Sequence, residues 1–227
     1  MAALEWDKVG ERFFENGVDH CALYPQDSTG AYPKGVAWNG ITSITESPDG
    51  AEANDIYADN IKYGSLRSAE TLGLTIEAYT YPDEFAVLDG TASPVKGVYL
   101  GQQKRASFGL AYRTQIGNDT SSEEDDGYKL HLVYGCTAAP SERAYETIND
   151  SPDAISFSWE VDTTPVAVKG FKPLSSLTIS SLTVDKEKLA ALEKILFGSA
   201  GAESAATSPR LPLPDEVLTT LGYTASA

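Results

Sequence analysis

Histidine and cysteine are scarce in this chain: two of each, beside a single methionine, among 227 residues. Neither His20 nor His131 has a Cys or carboxylate at ligand spacing, and Cys21 and Cys136 fit no zinc or redox motif. No metal site and no histidine-based catalytic group is expected. The two cysteines are expected as small unpaired residues in the core or at the surface. Basic residues are also few, 17 against 33 acidic, for a formal net charge of −16. That balance excludes a protein that grips nucleic acid through its phosphates, which takes a basic surface. No window is apolar for the length of a membrane span. The first residues, with Glu5 and Asp7, lack the apolar stretch of a signal peptide, so synthesis in a cytoplasm is expected. Gly90, Gly97 and Gly101 do not have the spacing of a phosphate-cradling loop. Ser93-Pro94-Val95-Lys96 has a Ser-x-x-Lys pattern without the companion motifs that give it meaning. There is no internal repeat.

Apolar residues make up 41% of the chain, enough for a real core, and the length allows one all-β domain or two small ones. The clearest signal is period-two alternation. Leu72, Leu74, Ile76 and Ala78 point one way, while Thr71, Thr75, Glu77 and Tyr79 point the other. The same pattern places Phe108, Leu110 and Tyr112 opposite Arg113 and Gln115, and Tyr128, Leu130, Leu132 and Tyr134 opposite Lys129 and His131. Ile116 and Tyr128 read as the two ends of one hairpin with an acidic tip. Ile155, Phe157, Trp159 and Val161 alternate most strongly, and Leu177 and Ile179 mark another strand. Asn16-Gly17 between apolar residues predicts a type I′ turn joining two short strands. Val166–Val168 reads as a short strand, residues 82–85 as the end of one and residues 89–101 as loop. A helical turn is expected around Ser141–Thr147.

Residues 185–197 change period. Leu189, Leu192 and Leu196 share a helical face, with Asp185 as N-cap and Gly198 as stop. Residues 1–198 are thus expected as one β domain with a single flanking helix. Residues 199–227 are expected as a flexible linker (Ser199–Ser208), an extended Leu211–Pro214 arm and a short helix near Asp215–Leu221. A long acidic excursion, residues 47–70, interrupts the strand pair at 40–46 and 71–81. It carries Ile56, Tyr57, Ile61, Tyr63 and Leu66, too apolar a set for a solvated loop, and such sets mark interfaces. Its carboxylates, Asp49, Glu52, Asp55 and Asp59, lack the spacing of a calcium loop, as do those of residues 119–126. Both acidic clusters are expected as solvated loop tips.

Several collinear segments together resemble a known family. They are Ala31-Tyr32-Pro33-Lys34-Gly35-Val36-Ala37-Trp38-Asn39-Gly40, Ile56-Tyr57-Ala58-Asp59-Asn60-Ile61-Lys62-Tyr63, Glu77 to Phe85, Gly101-Gln102-Gln103, Tyr112 to Asp119, Gly127 to Gly135, Pro165 to Val168 and Pro209 to Val217. The chain resembles the major tail protein, or tail tube protein, of long-tailed non-contractile bacteriophages, the siphophages. That resemblance implies a β-sandwich or half-barrel with a flanking helix. It implies subunits closing into rings, usually of six, whose inner strands form one β-barrel. It also implies stacking of the rings into a hollow virion tail through which DNA leaves. No enzyme activity and no cofactor are implied. The implied partners are further copies of the chain and other tail proteins (tape measure, tail terminator, distal tail), with DNA passing through unbound and no membrane.

The residues give that expectation physical content. An acidic bore repels duplex DNA locally, within a screening length of about 8 Å, and Glu77 on the polar side of the cleanest strand is the first candidate for it. Ile56, Tyr57, Asp59, Ile61, Tyr63 and Leu66 are the candidate docking arm between rings. Open sheet edges invite pairing between copies, which ring closure satisfies. Lys96, Lys104, Arg105 and Arg113 gather in one third of the chain, and Arg105 and Arg113 are candidates for orienting one subunit against the next. Three other readings are a stacking tube of a secretion machine, a carbohydrate-binding β-sandwich, and a hydrolase built on clustered carboxylates.

Overall fold

Alternating segments become strands of one large antiparallel sheet in the computed structural model, which describes residues 4–50, 53–67, 70–120, 127–145, 147–148, 153–200 and 207–224. In chain order the elements are β1 (Phe13–Pro25), β2 (Val36–Ala37), β3 (Ile41–Gly50), β4 (Ala53–Ala58), β5 (Ile61–Arg67), β6 (Glu70–Ala78), α1 (Asp83–Leu88), β7 (Ala92–Val95), β8 (Val98–Leu100), β9 (Phe108–Asn118), β10 (Gly127–Ala138), β11 (Phe157–Thr163), β12 (Ser176–Ser180), α2 (Lys186–Phe197) and α3 (Pro214–Thr220). The main sheet runs β2-β1-β9-β10-β11-β6-β3, with β12 also paired to β10. The fold is mainly β.

The sheet turns over on itself at β10. The first part of that strand, Lys129–Val133, lies between β9 and β12, whereas Cys136–Ala138 pairs with β11. Gly135 sits between the two parts with φ +62°, and a Cβ there would lie 2.2 Å from the Thr164 carbonyl oxygen. Only glycine fits such a position. The fold-over brings Leu23, Phe108, Leu110 and Val133 from one wing against Leu74, Ile76, Ala78, Trp159 and Val161 from the other. Trp38, Phe85 and Trp159 pack together at one end of this core, under α1. The other face of β1, β9 and β10 carries a second core, in which Tyr24, Leu130, Leu132 and Tyr134 meet Leu189, Leu192 and Leu196 of α2. Among the described residues β1 and β3 are not paired, so the sheet is folded over but not closed into a barrel, and one edge of β3 stays open.

The expected helix forms as its sequence dictates. Asp185 accepts from the backbone N–H groups of Glu187 and Lys188, the three leucines are buried, and Gly198 ends the helix at φ +78°. Two further helices accompany it. The first, α1, has only six residues, too few for a periodic signal, and buries Phe85 and Leu88 behind an acidic first turn of Asp83 and Glu84. The second, α3, falls where the short terminal helix was expected.

Several expectations need correction. Asn16-Gly17 makes no turn: β1 runs through it, paired to β9, with register shifts at Asn16/Asp19 and Asp19/Ala22. Gly17 at φ +64° and His20 at φ +49° absorb those bulges, so the Asn-Gly signal marks a bulge here. Residues 89–101 are not all loop, because β7 and β8 form a small hairpin around Lys96-Gly97. Val166 makes only an isolated bridge with Leu174, and residues 141–145 form no helical turn. The C-terminal segment lies against the β domain. Leu211 bridges Tyr32 and is buried with Val217 in the second core, while Arg210 grips Glu216 through both guanidinium nitrogens. Most of the expected linker, residues 201–206, and the acidic tip at 121–126 lie outside the described residues.

Candidate assembly surfaces

The excursion at residues 47–70 is a β-hairpin where a loop was expected. The strands β3 and β6 extend to Gly50 and Glu70, and β4 and β5 form a separate two-stranded sheet beyond them. Asp59 and Asn60 turn the chain with φ +50° and +63°, the two left-handed positions of a type I′ hairpin. Cross-strand register puts Ile56, Ala58, Ile61 and Leu66 on one face and Asp55, Tyr57 and Lys62 on the other. Asp55 and Lys62 form an ion pair at 2.8 Å on that second face, and the lysine lowers the carboxyl's pKa. Tyr63 sits at the bulge. Ile56, Tyr57, Ile61, Tyr63 and Leu66 are 41–77% exposed, so the hairpin stands away from its own core.

A second surface is the outward face of β3, β6 and β11. Since Leu74, Ile76 and Ala78 point inward, Thr71, Thr75 and Glu77 point out, beside Ser43, Thr45, Ser47 and Asp49 of β3 and Ser158, Glu160 and Asp162 of β11. The face is thus hydroxyls and four carboxylates, and none of the three strands contains a lysine or arginine. Glu77 lies on the central strand near one end of this face, exposed, accepting a hydrogen bond from the Ser43 hydroxyl at 2.9 Å. A depression of about 670 Å³ runs along one end of this face, lined by Asp49, Thr71, Thr75, Glu160 and Asp162 among others.

The two candidate arginines are occupied within their own subunit. Arg113 bonds Asp19 at 3.1 Å, lies against His20, reaches Glu193 of α2 at 3.9 Å and stacks over Tyr128, 4.7 Å from the ring centroid. It ties the helix to the sheet. Arg105 approaches Asp89 at 3.6 Å, and Arg143 binds the same buried carboxylate. Both arginines thus have carboxylate partners within their own subunit. Sequence reasoning missed Asp89, whose partners are 16 and 54 residues away in the chain and leave no local pattern.

His131 stacks on Tyr112 at 4.8 Å and lies between the hydroxyls of Thr114 and Thr178, at 3.0 and 3.3 Å. Burial lowers its pKa, against the opposing pull of Glu46 and Glu15. Tyr112 donates to Glu46 across the two wings of the sheet. Both cysteines are free and buried in the first core, and burial pushes the Cys21 thiol up to about 12. Among the described residues no three His, Cys, Asp or Glu side chains gather as metal ligands, and no helix is long and apolar enough to cross a membrane. No known family model matches the chain, and no curated protein matches it either.

Proposed function

We propose that this chain is the tail tube subunit of a long-tailed non-contractile bacteriophage. It is a structural, non-enzymatic virion protein whose copies close into rings of six and stack into the pipe that carries DNA from capsid to host. The observation that carries this reading is the β4–β5 hairpin, an arm with an apolar face and no core of its own. A monomer gains nothing by leaving such a face in water, whereas a stacked assembly covers it.

Two features agree with it. The open edge of β3 is a template for pairing between copies, which ring closure satisfies. The strands that would join there present Asp49, Glu77, Glu160 and Asp162, so the resulting wall repels a polyanion. Tape measure, terminator and distal tail proteins would meet the assembly at its core and ends, and DNA would pass without specific contacts. Electron microscopy of the concentrated purified protein tests this. Rings or hollow tubes are expected; a protein that stays monomeric at every concentration, alone or with other tail proteins, refutes it.

A further inference from the structure

The two halves of β3, an open edge of the main sheet, differ on their inward side. Cross-strand partners share a face, so the register of β3 on β6 gives the direction of each side chain. Ile41 and Ile44 lie opposite Ala78 and Ile76 and rest against the first core. Glu46 and Pro48 lie opposite Leu74 and Leu72, and so continue that same side. The inward side of this edge strand thus runs from two isoleucines to a carboxylate and a proline. Pro48 has no N–H to give to a neighbouring strand.

Glu46 is held from the other wing. The Tyr112 hydroxyl of β9 donates to it, and the Tyr112 ring is buried and stacked on His131, with 4.8 Å between centroids. A carboxylate has room for about four hydrogen bonds. Among the described residues Tyr112 alone donates to Glu46. Glu46 is exposed, and its remaining hydrogen bonds go to solvent, which reaches it past the free edge of β3. A second copy that added a strand to this edge would close that path. Its side chain opposite Glu46 would lie about 5 Å away. The carboxylate would then lose solvent and gain nothing, unless the incoming strand brought a cation or another donor. Carboxylates on the outward side keep their solvent when a strand is added, because that face stays open. An inward charge and a proline are two devices by which edge strands are kept from pairing.

We propose that Glu46, held inward by Tyr112, guards the second half of the β3 edge, so that the free chain does not pair there with a second copy of itself. The contact is autoinhibitory: the edge is open, but only a strand that satisfies the carboxylate can use it. The proposal goes beyond the tube reading, since the guard acts in the free chain whether or not copies later form a pipe.

Sedimentation velocity of the full chain over a concentration series tests it. Glu46→Val alone would leave the Tyr112 hydroxyl without its acceptor, so it is combined with Tyr112→Phe, which removes both partners together. The double variant should self-associate at about tenfold lower concentration than wild type, because the desolvated charge is gone. Hydrogen exchange of the associated material should show new protection within residues 44–50. Glu46→Gln keeps an acceptor for Tyr112 and removes only the charge; it should shift association in the same direction, and it decides the matter if the double variant does not fold. Thr45→Val adds a similar apolar group to the outward side of the same strand and should associate as wild type does. Association unchanged in the Glu46 variants overturns the proposal. So does Thr45→Val associating as readily as they do, or protection gained only outside β3. Each of those results leaves the tube reading standing. A wild-type chain that forms no rings or tubes refutes that reading instead, and the same comparison of variants still judges the guard.

Discussion

Gly135 has a backbone that no side chain tolerates, because the Thr164 carbonyl fills the place of its Cβ. Gly135→Ala should lower stability by about 2–4 kcal/mol, read as a reduced urea midpoint at unchanged m-value. His131 gives a pH signature. Its pKa is lowered from 6.5, so above that pH both folded and unfolded chains hold it neutral and it contributes no slope. As pH falls below about 6.5 the unfolded chain takes up a proton that the folded one refuses, and stability drops until the folded imidazole is protonated too. Glu15 and Glu216, held low by Lys129 and Arg210, add a loss in the same direction only below about pH 4.5. Chemical denaturation between pH 7 and 5 should therefore show a falling stability that His131→Gln flattens. Single residues were the least legible in the sequence. Glu77 could be assigned to the polar side of its strand, since alternation alone decides that. Arg105 and Arg113 could not be assigned, because their partners Asp89, Asp19 and Glu193 arrive only through folding.

Elements were legible in proportion to the surface they bury. The strands β6 and β11 have one face on a core, so apolar residues recur at every second position, while β9 and β10 lie between two cores and carry their largest apolar residues at that same spacing. The leucines of α2 do the same at helical spacing, and both boundaries of that helix carry their capping residues. The β4–β5 hairpin has no core beneath it, and the bulge between Ile56 and Tyr57 shifts its register, so its alternation is broken and it reads as loop. The strand β1 was misread for a related reason: its bulges place glycine where an unbroken strand has none. Because the arm's large apolar residues are exposed and its strands pair, among the described residues, only with each other, replacing residues 53–67 by a short Gly-Ser turn should leave the thermal transition within about 2–4 °C of wild type, since exposed residues contribute little. The same chain should fail to form tubes under conditions where wild type forms them. A large loss of thermal stability would show that the arm belongs to the core.

At the scale of the whole molecule, the acids are not spread evenly. The wing formed by β3, β6 and β11 turns an entirely non-basic face outward, while Arg113, Lys129 and Arg12 of the other wing are paired with carboxylates at home. If that wing lines a bore, its charge decides whether the pipe holds its cargo. Changing Glu77, Glu160 and Asp162 together to lysine should leave assembly intact and make the tubes retain duplex DNA at low salt, releasing it steeply as salt rises. Sedimentation of tubes with labelled DNA measures this, and wild-type tubes should bring down none. Retention unchanged by the substitutions would place the face on the outside of the assembly.

The exit of the β4–β5 arm from one end of β6 has a consequence for growth. A column of such subunits is directional. If copies stack head to tail, one terminus exposes β4–β5 arms and the other does not, so the two ends grow at unequal rates. A pipe of that kind calls for two different stoppers, one of which must cover the arms.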